Sequence, residues 1–148
     1  PTLRVACIEV QNCMAIIFGF DHARREPEMP KPAAQALLER YWEEVNNQGN
    51  LELIRELCSD PITRHDPGGI TVLSHDEQIE RVRVGIEQLG VQISRVITHA
   101  DDTTVTSVWN MTMTKHGDTK MCGIEVFTVE NGRLAHCWNT PYAEGHWA

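Results

Sequence analysis

Basic residues are scarce in this chain: 13 Lys and Arg stand against 21 Asp and Glu, a formal net charge of −8 at pH 7. A surface of that sign repels phosphate backbones and anionic leaflets, so nucleic acid and membrane are excluded as main partners and a hydrophobic small molecule is expected instead. Long apolar runs are lacking as well. The longest near the start, Cys13 to Phe20, is too short to span a bilayer, and Glu9 precedes it where a secretory leader would be basic. The five cysteines are odd in number and show neither C-x-x-C nor zinc-finger spacing. That excludes a disulfide framework and a structural zinc, and points to free thiols in a reducing, cytoplasmic setting. HExxH, a P-loop, G-x-S-x-G and G-x-G-x-x-G are all missing, so neither a metal nor a nucleotide cofactor is expected.

What is present fits one globular core: 148 residues, 41% hydrophobic and 23% charged, with no internal repeat. Residues 1–32 differ from the rest. An alternating piece (Leu3, Val5, Cys7), an apolar patch and a charged, proline-bearing stretch read as an N-terminal extension, leaving residues 33–148 as the domain.

From Ala33 to Asn47 the apolar positions Ala34, Leu37, Leu38, Tyr41 and Val45 recur at helical spacing, which puts Tyr41 on the inward stripe. Gly49 ends that helix, Asn50 can cap the next, and Leu51, Ile54 and Leu57 give a short second one running to about Cys58. Asp60 to Ile70, with two prolines and two glycines, reads as an extended, turn-rich connection. Ser74 to Glu77 is a capping box, followed by Ile79, Val82, Ile86 and Leu89 on the buried face of a third helix that stops at Gly90.

After Gly90 the period changes to two. Val91–His99, Thr104–Thr114, Thr119–Val129 and Arg133–Asn139 read as strands separated by turn residues. The order predicts an α+β fold in which three N-terminal helices pack on a curved antiparallel sheet, a cone with an apolar interior suited to a small molecule. In the second of these strands Val105, Trp109, Met111 and Met113 share the same face, as a ligand-adaptable wall or as plain core. For the last hairpin the register decides everything. A three-residue loop, Glu130-Asn131-Gly132, pairs Val129 with Arg133 and Glu125 with Cys137, and sets Glu125, Phe127, Cys137 and Asn139 on one face; a two-residue Asn-Gly turn pairs Glu125 with Trp138. The first is preferred because it keeps Phe127 inside.

Asp66 lies in Arg64-His65-Asp66-Pro67-Gly68-Gly69. The proline biases Asp66 to an extended backbone and the glycines turn the chain sharply, so its carboxylate either serves as a fixed general base or merely starts a turn. His65 and Asp66 are neighbours in an extended stretch, so only one of them reaches a cavity.

Arg40-Tyr41, the Gly49-Asn50-Leu51-Glu52 corner, His65-Asp66-Pro67-Gly68-Gly69 and Ile124-Glu125-Val126-Phe127 before an Asn-Gly hairpin together resemble the ketosteroid isomerase and SnoaL-like branch of the NTF2-like superfamily. The resemblance covers roughly residues 33–142. It implies that Tyr41 is a phenol donor, Asp66 the base, and Glu125 the protonated acid of an oxyanion hole, acting without a cofactor next to a carbonyl of a polycyclic substrate. Glu125 has one methylene more than the family's usual Asp, and His65 stands where family members can carry an acid. Physical chemistry agrees with these roles: a Glu125 carboxyl turned into an apolar cavity is kept neutral by desolvation and can then donate a hydrogen bond. Trp109, Met111, Met113, Phe127, Cys137 and Asn139 are the expected substrate contacts. Two other readings stand beside this one: a SnoaL-like polyketide cyclase or dehydratase in which His65 or Asn139 leads, and a non-catalytic binding or dimerisation module. The resemblance also implies a homodimer formed through the outer sheet face, with His136 and Trp138 on it.

Overall fold

The structure, a computed structural model, describes residues 30–148. The expected N-terminal extension, residues 1–32, falls almost wholly outside them. Helix α1 (Ala33–Arg40) buries Ala34 and Leu38 and continues into wider π-type turns over Tyr41–Asn47, which bury Tyr41, Trp42 and Val45. The widening has a local cause: the Asn46 amide donates to the Tyr41 carbonyl at 3.0 Å, taking an acceptor that α-helical turns would use. A 3₁₀ turn, Leu51–Leu53, leads into α2 (Ile54–Leu57). Helix α3 (His75–Val84) begins with the expected reciprocal cap between Ser74 and Glu77 and runs on through Gly85–Leu89.

The stretch read as a connection is two strands, β1 (Cys58–Asp66) and β2 (Gly69–Leu73), joined at Pro67-Gly68. Pro61 is tolerated inside β1 for a simple reason. It lies where the ladder to the neighbouring strand β6 is interrupted, between Cys58 and Thr63, and before the ladder to β2 begins at Ile62, so its missing N–H breaks no rung. The four later strands are β3 (Val91–Ala100), β4 (Thr104–Met113), β5 (Thr119–Glu130) and β6 (Arg133–Asn139), and a short β7 (Ala143–Glu144) takes the edge of β5 beyond the end of β6.

The order across the sheet is β2-β1-β6-β5-β4-β3. Its pairs are antiparallel except β1 with β6, which run parallel, so the sheet is mixed where an antiparallel one was expected. The added strands of the first half explain the difference: β1 can meet β6 only after the chain has crossed from the helices. Three helices on a curved, unclosed sheet make the NTF2-like α+β cone. Leu38, Ile54, Leu57, Ile62, Val105 and Leu134 are fully enclosed between helices and sheet, each contributing on the order of 1.5–3 kcal/mol through removal from water. Among the described residues no helix is long and apolar enough to cross a membrane.

Candidate functional site

The hairpin β5–β6 sets the site, and it folds by neither expected register. Asn131 and Gly132, both at positive φ (51° and 75°), make a two-residue turn that pairs Glu130 with Arg133 and Val129 with Leu134. Ala135 is then an extra residue on β6. Beyond this bulge Thr128 pairs with His136, Phe127 with Cys137 and Glu125 with Asn139. The residue assigned to the loop has moved into the strand. Glu125, Phe127, Cys137 and Asn139 therefore share the inner face, although their partners differ from those expected.

Across that face a row of polar side chains runs from strand to strand. Asp66 comes from the end of β1, Asn139 from β6, Glu125 from β5 and, opposite Glu125, Ser107 from β4. Asn139 donates through Nδ2 to Asp66 Oδ1 at 3.0 Å and accepts from the Cys137 thiol at 3.3 Å. Arg64, buried two residues before Asp66 on the same face, donates to the same oxygen at 3.5 Å. The Asp66 side chain is 45% exposed, whereas Glu125 is 8% exposed.

Above this row stands Tyr41, delivered by the π turns after α1. Its hydroxyl oxygen accepts from Gln78 Nε2 of α3 at 2.5 Å, which leaves the phenolic proton free to be donated elsewhere. Burial pushes the phenol well above its ordinary range. Burial likewise raises the Glu125 carboxyl to about 7; the charges of Arg64 and Arg81 pull against this and that of Asp66 adds to it. Among the described residues the Glu125 carboxyl makes no hydrogen bond with another side chain. A cavity of about 270 Å³ separates helices from sheet here. Tyr41, Trp42, Ile86, Met111, Met113 and Phe127 line it together with Glu125, and Arg81 and Tyr142 border it.

The site residues expected from sequence thus divide. Tyr41, Glu125, Met111, Met113 and Phe127 meet at the cavity. Asp66 and Asn139 form the adjoining polar pair, with Cys137 behind Asn139, and burial pushes the Cys137 thiol far up. Trp109 is buried but set back from the wall, with its ring edge-on to Tyr142 at 4.9 Å. His65 points the other way. It stacks on Trp138 at 4.4 Å and 5° and contacts His136 Nδ1 at 3.2 Å, all on the outer face, because alternation along β1 sends Arg64 and Asp66 inward and His65 outward. The sequence reasoning missed Arg64, Gln78 and Arg81. Arg64 had a signal, since any strand that aims Asp66 inward aims Arg64 there too. Among the described residues no group of three or more His, Cys, Asp or Glu is arranged to hold a metal ion.

Comparison with known families matches residues 38–137 to the SnoaL-like domain. No curated protein is similar enough to count as a relative. Solved structures are similar in fold. A candidate ketosteroid isomerase from Kribbella flavida DSM 17836 has a TM-score of 0.64 at 15% identity, over 78% of this chain and 82% of that one. A candidate polyketide cyclase from Acidithiobacillus ferrooxidans has a TM-score of 0.65 at 23% identity, over 76% and 89%. A Mycobacterium tuberculosis protein in complex with estradiol-17beta-hemisuccinate has a TM-score of 0.62 at 10% identity, over 74% and 93%.

Proposed function

The chain belongs to the SnoaL-like domain family, and from that premise we propose that it is a cofactor-independent enzyme moving a proton at the carbon next to a carbonyl of a hydrophobic, polycyclic or polyketide-like molecule. The observation that carries this reading is the Glu125 carboxyl, free of side-chain partners among the described residues, in an apolar cavity beside Tyr41 and raised by burial to about 7. A neutral acid and a phenol with a free proton are two fixed donors for one carbonyl oxygen. As the carbon loses its proton, negative charge grows on that oxygen, and donors already oriented there stabilise it without solvent reorganisation. Loss of one such donor costs roughly a hundred- to a thousandfold in turnover.

Asp66 is the base in this reading. Its carboxylate is held by Asn139 and Arg64 next to Glu125 in the polar row, partly solvated, so that it can take the proton and return it at another carbon. The test is a β,γ-unsaturated polycyclic ketone, whose conversion to the conjugated enone is followed by absorbance. Asp66→Asn abolishes turnover while ligand affinity and folding persist; an unchanged rate removes Asp66 from the mechanism.

A polyketide cyclase or dehydratase is the second reading, supported by the Asp66–Asn139 pair rather than by His65, which stacks on Trp138 away from the cavity. It predicts that Asn139→Ala is as damaging as Asp66→Asn. Self-association through the outer sheet face is proposed for either reading, since Ile70, Val72, Ile97 and Trp138 are exposed there; a monomer by light scattering would count against it.

A further inference from the structure

Only two charged side chains line the cavity among the described residues, Glu125 and Arg81. They are not equivalent. Glu125 is enclosed and favours its neutral form, while Arg81 is exposed on α3 at the rim, where it presents a planar guanidinium. Among the described residues Arg81 is also uncommitted. Its neighbour Arg83 is tied to Glu80 at 2.5 Å, Arg55 is shared by Glu52 and Asp76, and Arg64 is engaged by Asp66. No carboxylate among the described residues lies within salt-bridge distance of Arg81.

The charge of Arg81 nevertheless reaches inward. It acts on Tyr41, Glu125, Cys137 and Tyr142, four groups from three different parts of the chain. In a protein of net charge −8, a lone guanidinium over an apolar hollow is the feature that an anionic ligand would find attractive, and its planar fork matches a carboxylate. Helical spacing explains its aim: Gln78, Arg81, Val82 and Gly85 recur at three- and four-residue steps on the α3 face turned to Tyr41.

We propose that the cavity selects molecules with an apolar ring body and one carboxylate, the carboxylate docking on Arg81 at the rim while the body enters between Trp42, Ile86, Met111 and Phe127. This rests on the reading of the cavity as the substrate site and adds to it the charge of the substrate. Arg81 is then the specificity-determining residue, and the carbonyl that meets Tyr41 and Glu125 lies at the other end of the same molecule.

Calorimetric titration with 1-naphthaleneacetate and with its neutral isostere 1-naphthaleneacetamide tests this. The protein is expected to bind the acid about tenfold or more tightly than the amide, the range of one charge-assisted hydrogen-bonded contact. Arg81→Gln is expected to abolish that preference while leaving the amide's affinity unchanged, and Arg81→Lys to retain part of it. Equal affinity for acid and amide in the unmodified protein, or a preference that survives Arg81→Gln, overturns the inference and leaves the cavity reading standing. Failure of both probes to bind overturns both.

Discussion

Glu125 faces Asn139 directly across β5 and β6, and it does so because Ala135 is an extra residue between that pair and the turn. Without the bulge the tight Asn-Gly turn would bring Trp138 opposite Glu125. Deletion of Ala135 removes only the extra residue: Thr128 still meets His136 and Glu125 still meets Asn139 in a regular ladder, so the variant is expected to fold with the polar row kept. Insertion of one residue after His136 is expected instead to send Cys137 and Asn139 to the outer face and to separate Asn139 from Asp66, and thermal melting should show a loss far beyond the ordinary cost of a substitution, about 1 kcal/mol. An insertion variant that melts like the parent would show that the strand tolerates both registers.

The Glu125 carboxyl gives stability a pH dependence of known sign. Its value rises from an ordinary 4.5 to about 7 on folding, so the unfolded chain ionises first as pH increases. The contribution is fully present below about 4.5 and is lost as pH climbs to about 7, a change of about 3 kcal/mol. Urea denaturation across this window should show Glu125→Gln gaining on the parent protein by that order. Parallel pH profiles for the two proteins would contradict the burial of this acid.

Gln78 donates to Tyr41 through Nε2, but its buried Oε1 has no partner. Replacing it by the similarly shaped Met removes one hydrogen bond, worth about 1 kcal/mol, and one orphaned carbonyl, which costs about 1–3 kcal/mol. Gln78→Met is expected to be no less stable than the parent in urea. A large drop in midpoint would mean that Oε1 is satisfied in solution, for instance by water.

Gly123 is a matter of space. A Cβ built on it would lie 2.6 Å from Cζ2 of Trp109, a rigid indole already packed against Tyr142. Gly123→Ala is expected to cost about 1–3 kcal/mol and to red-shift tryptophan emission as the ring is pushed toward solvent. Unchanged emission with unchanged stability would place the indole elsewhere.

The helices were legible because their signals are local. Leu38, Tyr41 and Val45 mark one stripe, and Ser74 with Glu77 announces the start of α3 four residues before its first buried side chain. The strands after Gly90 were readable for the same reason. What escaped was pairing. Nothing near Cys58–Asp66 reveals a parallel partner some seventy residues later, and two prolines there argue against any strand until one sees that Pro61 falls in a gap of the ladder. The inner face of the last hairpin was assigned correctly by a register that is wrong in detail, since a loop residue and a bulge residue shift alternation alike. Tyr41 and Glu125 could be proposed from motif order, but the coupling of Asp66 and Arg64 to Asn139 required coordinates, because it joins two strands, β1 and β6, that lie far apart in sequence.

The parallel seam between β1 and β6 also governs the sequence of events in which the molecule can be made. β6 is synthesised after β1 to β5, yet it joins β1–β2 on one flank to β5–β4–β3 on the other. A growing chain can form α3 and the β3–β4–β5 meander early, while β1 and β2 wait as an orphaned hairpin with no central neighbour. Closure of the hollow, and with it any encounter of Asp66 with Asn139, waits until residues 133–139 have left the ribosome and zip the two halves together.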